Sequence, residues 1–185
     1  MGLFDNIKKA VNDVASSASS SGNKSVDIVF PDIGTLEEFK ALPQAALSTP
    51  FDTAAMTVLA LCFYPQDKNL CFDMLNFLKG PESLSEYEKS FINDRFRDSD
   101  YVPRSYFKGA TPQNDYLPSE PLTITVSDNP YSYQDDGYAT MHIRSGGADS
   151  PRQVKVRKAK DGKWYLWEQF VLVGIRPPEG SNPWA

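Results

Sequence analysis

Asp161-Gly162-Lys163-Trp164-Tyr165-Leu166-Trp167-Glu168-Gln169-Phe170-Val171-Leu172-Val173 is the stretch whose reading decides the fold. Asp-Gly is a hairpin signal, and the aromatic and β-branched run behind it has strand chemistry. Apolar residues fall on both faces of that run, which predicts the central strand of a sheet with other elements packed on it. Val154 and Val156 mark the inner face of the strand before it. A two-residue turn at Asp161-Gly162 would pair Lys160 with Lys163, Val156 with Trp167 and Lys155 with Glu168. Val154, Val156, Tyr165 and Trp167 would then share one buried side. A three-residue loop with a glycine bulge would shift the pairing by one and set Glu168 beside Val154, partly buried. A one-residue slip exchanges every side-chain face, so both registers stand at this level.

Outward from the hairpin, two more strands precede it. Leu122-Thr123-Ile124-Thr125-Val126 alternates cleanly, with Leu122, Ile124 and Val126 inward. In Tyr138 to Arg144, Ala139, Met141 and Ile143 make one face and Tyr138, Thr140, His142 and Arg144 the other. Ser127 to Gly137 is a polar loop carrying Tyr131 and Tyr133, and Ser145 to Pro151 connects the next strand. Pro177-Pro178 ends the sheet.

Upstream lies a helical block with clear punctuation. Thr35 with Glu38, and Ser85 with Glu88, fit capping boxes. Thr49 or Ser48, then Pro50 and Asp52, opens a helix that is apolar nearly all round and is therefore the buried one. Asp67 starts a third, with Leu70, Cys71, Met74, Leu75 and Leu78 as its inner stripe, and Gly80-Pro81 stops it. Leu84, Tyr87, Phe91 and Ile92 give the last helix its apolar side. Residues 99–121 are Pro- and Tyr-rich irregular chain, longer than the structureless loops common in compact domains. Val26 to Phe30 reads as a short edge strand ended by Pro31.

The expected fold is α+β: a helical layer from about residue 35 to 98 on an antiparallel meander of about four or five strands. Ahead of it, residues 1–18 read as an amphipathic N-terminal helix, 19–25 as a Ser-rich flexible linker, and 26–185 as one domain. Leu3, Phe4, Ile7, Val11 and Val14 share an arc, with Asp5, Asn6, Lys8, Lys9, Asn12 and Asp13 opposite. Such a helix fits an interfacial membrane anchor, or a helix docking on its own domain or on a partner chain.

The chain has 185 residues, 41% of them hydrophobic, and a formal net charge of −5. Three lysines against two aspartates leave residues 1–25 at +1 and the remainder at −6. An acidic body read as having no basic run argues against nucleic acid. No secretory signal is expected, and the apolar run around Ala54 to Tyr64 is well short of the ~20 residues that cross a bilayer. Cys62 and Cys71 on apolar helical faces read as reduced buried thiols. The expected location is cytoplasmic, peripheral at the inner face of the membrane where the tail binds lipid.

No catalytic set emerges. His142 is the sole histidine and sits on a polar strand face; no nucleophile elbow accompanies it. One histidine and two helical cysteines do not make a zinc site, and no metal or cofactor is expected. Ser145-Gly146-Gly147 lacks the Lys-Ser/Thr and helix of a phosphate loop. Arg144 and Arg152 flank it and could grip an anion. The loops carry a different signal. Tyr101, Arg104, Tyr106, Tyr131 and Tyr133, among Asn, Asp, Ser and Pro, have the chemistry of a recognition surface. The reading is a non-catalytic interaction module for a protein partner, tethered by its tail. Its alternative is a small-molecule-binding protein or enzyme, with a pocket between helices and sheet using Arg144, Arg152, His142 or Glu168.

Val102-Pro103-Arg104-Ser105-Tyr106-Phe107, Ser145 to Arg152 and Trp164 to Gln169, with the Met-Gly-Leu-Phe-Asp opening, resemble an uncharacterised family of bacterial proteins common among Firmicutes. That resemblance implies a bacterial protein and no activity. The closing hairpin is also loosely similar to the last hairpin of cystatin-like and nuclear-transport-factor-like folds.

Overall fold

The computed structural model describes residues 23–184, so the expected amphipathic helix and most of the Ser-rich linker lie outside the described residues. The fold is α+β. Four α-helices precede most of the sheet: α1 (Leu36–Ala41), α2 (Pro50–Leu61), α3 (Lys68–Lys79) and α4 (Glu86–Phe96). Five strands, β1 (Ser25–Val29), β2 (Thr123–Ser127), β3 (Tyr138–Ile143), β4 (Arg152–Lys158) and β5 (Trp164–Gln169), form one antiparallel sheet in the order β1-β2-β3-β4-β5. Strands β2 to β5 are the expected meander. The whole helical layer separates β1 from β2 in the chain, and β1 is an edge strand beginning at Ser25, the last residue of the expected linker.

The caps set the helix boundaries as their chemistry predicts. Thr35 and Ser85 each make a reciprocal box with the glutamate three residues on, while Thr49 and Asp67 accept from Asp52 N–H and Leu70 N–H. Helix α2 is buried along its whole length except at Asp52, because it is sandwiched between α3 and the sheet. Its two threonines remain satisfied there: Thr57 Oγ1 donates to Thr53 O at 2.8 Å, and Thr53 Oγ1 to Trp164 O at 2.6 Å. Opposite α2 the sheet presents Ile124, Val126, Ala139, Met141, Ile143, Val154, Val156 and Leu166.

Two expectations change. Strand β5 is an edge strand, not the central one. It is apolar on both faces because Leu166 enters the core while Trp164, Tyr165 and Trp167 cover the sheet border where α3 ends. It also stops at Gln169, and Phe170 to Val173 lead into a turn. The hairpin, moreover, uses both registers. Ala159 N–H donates to Lys163 O and Gly162 N–H to Ala159 O, a three-residue loop closed by Gly162 at φ +82°. Val156 therefore faces Leu166, not Trp167, until a bulge beyond it restores Lys155 to Glu168 and Val154 to Gln169. The shared buried side is thus Val154, Val156 and Leu166, with Tyr165 and Trp167 only half-buried.

Candidate functional site

Residues 99–121 are ordered by their tyrosines. Pro103–Tyr106 and Pro112–Asn114 are short 3-10 turns. Tyr106 is buried and donates to Val171 O at 2.5 Å; Tyr116 is fully buried and donates to Arg176 O at 2.6 Å. Tyr101 stacks on Tyr116 with centroids 5.5 Å apart. Burial pushes the Tyr106 and Tyr116 hydroxyls above their ordinary range, so both remain donors. Tyr101 and Tyr106 therefore pin the segment after β5 instead of facing a partner, and half-buried Arg104 sits in the turn between them. Burial takes Tyr106 out of any contact surface, whereas Tyr101 and Arg104 keep part of theirs.

The glycine connection serves the same fastening. A β-carbon on Gly146 would lie 2.0 Å from Ala110 O, and one on Gly147 2.0 Å from the Tyr116 hydroxyl. Gly146 N–H donates to Ser105 O and Gly147 N–H to Ser145 Oγ, so these amides are spent inside the fold. Arg152 does not grip an anion beside them. Its guanidinium donates to Val173 O at 2.9 Å, Gly174 O at 2.7 Å and Ser150 O at 2.9 Å. Arg144 is exposed and follows Ile143, the cross-strand partner of Arg152.

Tyr131 and Tyr133 do lie at the surface, 70% and 42% exposed. Tyr133 donates to Asp128 Oδ2 at 3.1 Å, and burial together with that carboxylate pushes its hydroxyl up to about 12. Asp128 is buried and also accepts from Lys24 N–H, tying the loop to the start of β1. Next to it Asn129 Nδ2 lies 2.9 Å from His142 Nε2, an amide donor against a ring nitrogen that suits the neutral imidazole. Burial holds His142 below its usual range, with Asp128 opposing. Glu168 is exposed opposite Lys155, as the first register had it.

Among the described residues no group of three His, Cys, Asp or Glu side chains could hold a metal. Burial pushes the Cys62 thiol up to about 12 and the Cys71 thiol higher still, so both are neutral at pH 7. Cys62 keeps some surface as a residue, but its sulfur lies inside.

A concave feature lies elsewhere. Between α3, α4 and the outer border of β5 runs a groove of about 590 Å³, walled by Leu75, Leu84, Phe91, Ile92, Leu166 and Phe170. Phe170 is 47% exposed and Tyr87, at the rim, 81%, although the helix pattern had placed Tyr87 inward. Glu82, Glu88 and Glu168 edge the groove. Burial raises Glu88, but Lys79 Nζ at 2.6 Å and the Ser85 bonds outweigh it, so its carboxyl is held below the usual range. Tyr87 with Phe91 at helical i,i+4 spacing, and a phenylalanine just past a strand end, were the available signals. Neither announces a groove until α4 is laid beside β5.

A second, smaller cleft of about 290 Å³ adjoins the groove at Lys79, Glu82, Leu166 and Trp167. It opens on the β4–β5 hairpin through Arg157, Lys158 and Lys160. Residues 152–163 carry Arg152, Lys155, Arg157, Lys158, Lys160 and Lys163 against Asp161 alone, a net +5 that leaves the rest of the chain at −10. The expectation that the body has no basic run is corrected here; alternate valines and the Asp-Gly turn dilute it along the chain, whereas the hairpin gathers it.

No helix among the described residues is long and apolar enough to cross a membrane. No curated protein matches the chain, and no solved structure does. A family model described as a domain of unknown function, DUF6935, matches residues 33–179, from the turn before α1 to the chain after β5. This agrees with the resemblance to an uncharacterised family, and the chain belongs to the DUF6935 family, a domain of unknown function.

Proposed function

We propose that this protein works by binding: it is a non-catalytic interaction module whose contact surface is the groove between α3, α4 and β5, tethered through its N-terminal residues. One observation carries this reading. The groove is apolar on its walls, leaves Phe170 about half exposed, and is edged by Glu82 and Glu168. A partner helix with an apolar stripe flanked by lysine or arginine has the complementary chemistry. The polar side chains with catalytic potential support it from the other side, since Arg152 is fastened to backbone carbonyls and His142 to Asn129. Tyr131 and Tyr133 offer a smaller, separate exposed patch. A bacterial, cytoplasmic setting at the inner membrane face completes the proposal.

The groove's volume favours one second reading, a small apolar ligand held between helices and sheet. Of the residues expected to serve such a pocket, only Glu168 lines it.

The test is a displayed peptide library panned on the full chain, with binding then measured against Phe170→Asp. Enriched peptides should carry apolar residues at helical spacing and lose at least about tenfold in affinity on the variant. Failure to enrich any family, or peptides indifferent to Phe170→Asp, would overturn the protein-partner reading.

A further inference from the structure

We infer that the β4–β5 hairpin is an anionic-membrane contact, a lipid-facing surface that adjoins the groove at Trp167. The charge distribution is the first ground. The hairpin is net +5 in a chain otherwise at −10, so its basicity opposes the whole protein's character. Lys155 is paired with Asp135, and Arg152 is used by the backbone. Arg157, Lys158, Lys160 and Lys163 are exposed, and among the described residues none has a carboxylate within ion-pair distance. Four unneutralised cations, Arg157 and Lys158 at the end of β4 with Lys160 and Lys163 in the turn, form a site for phosphate-bearing groups.

The aromatics are the second ground. The Arg157 guanidinium lies 5.2 Å from the Trp167 ring centroid and 5.5 Å from that of Tyr138; Lys158 Nζ lies 5.7 Å from that of Trp164. Cations held against tryptophan and tyrosine suit a headgroup layer, where aromatic rings settle among the carbonyls and lysine or arginine reaches phosphate.

Topology is the third. In an all-antiparallel sheet of this order, β1, β3 and β5 run the same way. The chain therefore enters β1 from the side to which the β4–β5 turn points, but the register staggers the strands: Ser25 is level with Ser127, His142 and Gln153, beside the end of β5, and the turn lies several residues further out. The loop between β2 and β3 spans that offset: Asp128 at its beginning accepts from Lys24 N–H, and Gly137 O at its far end accepts from Lys158 N–H at 2.8 Å. Residues 2–18 thus precede a strand that the chain enters from the side to which the basic hairpin points. A stretch whose only cations are Lys8 and Lys9 is a weak anchor by itself, and lasting attachment to a bilayer takes two signals. The hairpin supplies the second. An anionic bilayer is favoured over a nucleic acid because the cations cluster at one hairpin end, three of them around a cleft of about 290 Å³, instead of tracking a long groove.

Flotation of the full chain with phosphatidylcholine vesicles, and with vesicles containing phosphatidylglycerol, tests this at low and high salt. The wild type should float only with the anionic vesicles and at low salt. Lys158→Glu, Lys160→Glu and Lys163→Glu together should lower partitioning by about 100-fold or more. A control carrying Lys40→Glu, Lys68→Glu and Arg97→Glu has the same net charge and should keep floating. Circular dichroism confirms that both variants fold; a hairpin variant that fails to fold is replaced by the three alanine substitutions, with the same expectation in direction. A hairpin variant that floats like wild type, a control that loses as much, or a wild type that never floats overturns the inference. Tighter binding to single-stranded DNA than to anionic vesicles at equal salt overturns it as well.

Discussion

The hydroxyl of Tyr106 donates to Val171 O at 2.5 Å, joining the irregular segment before β2 to the chain just after β5. Both residues are buried, so neither group has water as an alternative. Together with Tyr116 on Arg176 O, this bond turns a long loop into part of the core. Tyr106→Phe keeps the ring and orphans a buried carbonyl. It should cost about 1–3 kcal/mol in urea unfolding while leaving groove ligands unaffected. A change below about 0.5 kcal/mol would show that Val171 O finds another donor.

Arg152 holds three backbone carbonyls with one planar fork, which a lysine ammonium cannot reproduce. Arg152→Met and Arg152→Lys should therefore both destabilise, by about 1.5–3 kcal/mol in denaturant unfolding. Added phosphate should not stabilise the wild type through this residue. A phosphate-dependent rise in melting temperature that disappears in Arg152→Met would restore the anion-binding role.

His142 has its folded-state affinity for protons lowered by burial, so the unfolded chain protonates first as pH falls. The stability conferred by the neutral, Asn129-bonded ring is complete above the unfolded value near 6.5. It is lost as pH falls from there through the folded value. His142→Gln should flatten the pH dependence of unfolding free energy on the acid side of that point. An unchanged slope between wild type and variant would assign the loss to carboxylates such as Glu88, whose own contribution fades at lower pH because its folded value is depressed.

Local chemistry was readable wherever one residue decides one bond. The capping glutamates at Glu38 and Glu88, the caps Thr49 and Asp67, and the alternation of Ile124 with Val126 concern neighbours a turn or a pleat away. So does the Asp161-Gly162 turn, where the chain left two registers open and the hairpin adopts each on one side of its bulge. The tyrosines show the limit. Tyr106 and Tyr131 look alike in polar, proline-rich surroundings, yet one is buried on Val171 O and the other is 70% exposed.

By itself the sequence determined the α+β class, the buried helix Pro50–Leu61, the helix boundaries and the meander, because hydrophobic period and caps act over a few residues. Only the tertiary structure decided that β5 is an edge, that α4 stands beside it to leave an apolar groove, and that the basic hairpin projects beyond the level at which β1 begins. Those are relations between elements tens of residues apart, set by how whole faces pack. A strand covered by flanking aromatics at a sheet border carries the same two-faced pattern as one buried at its centre, so no local pattern could separate them.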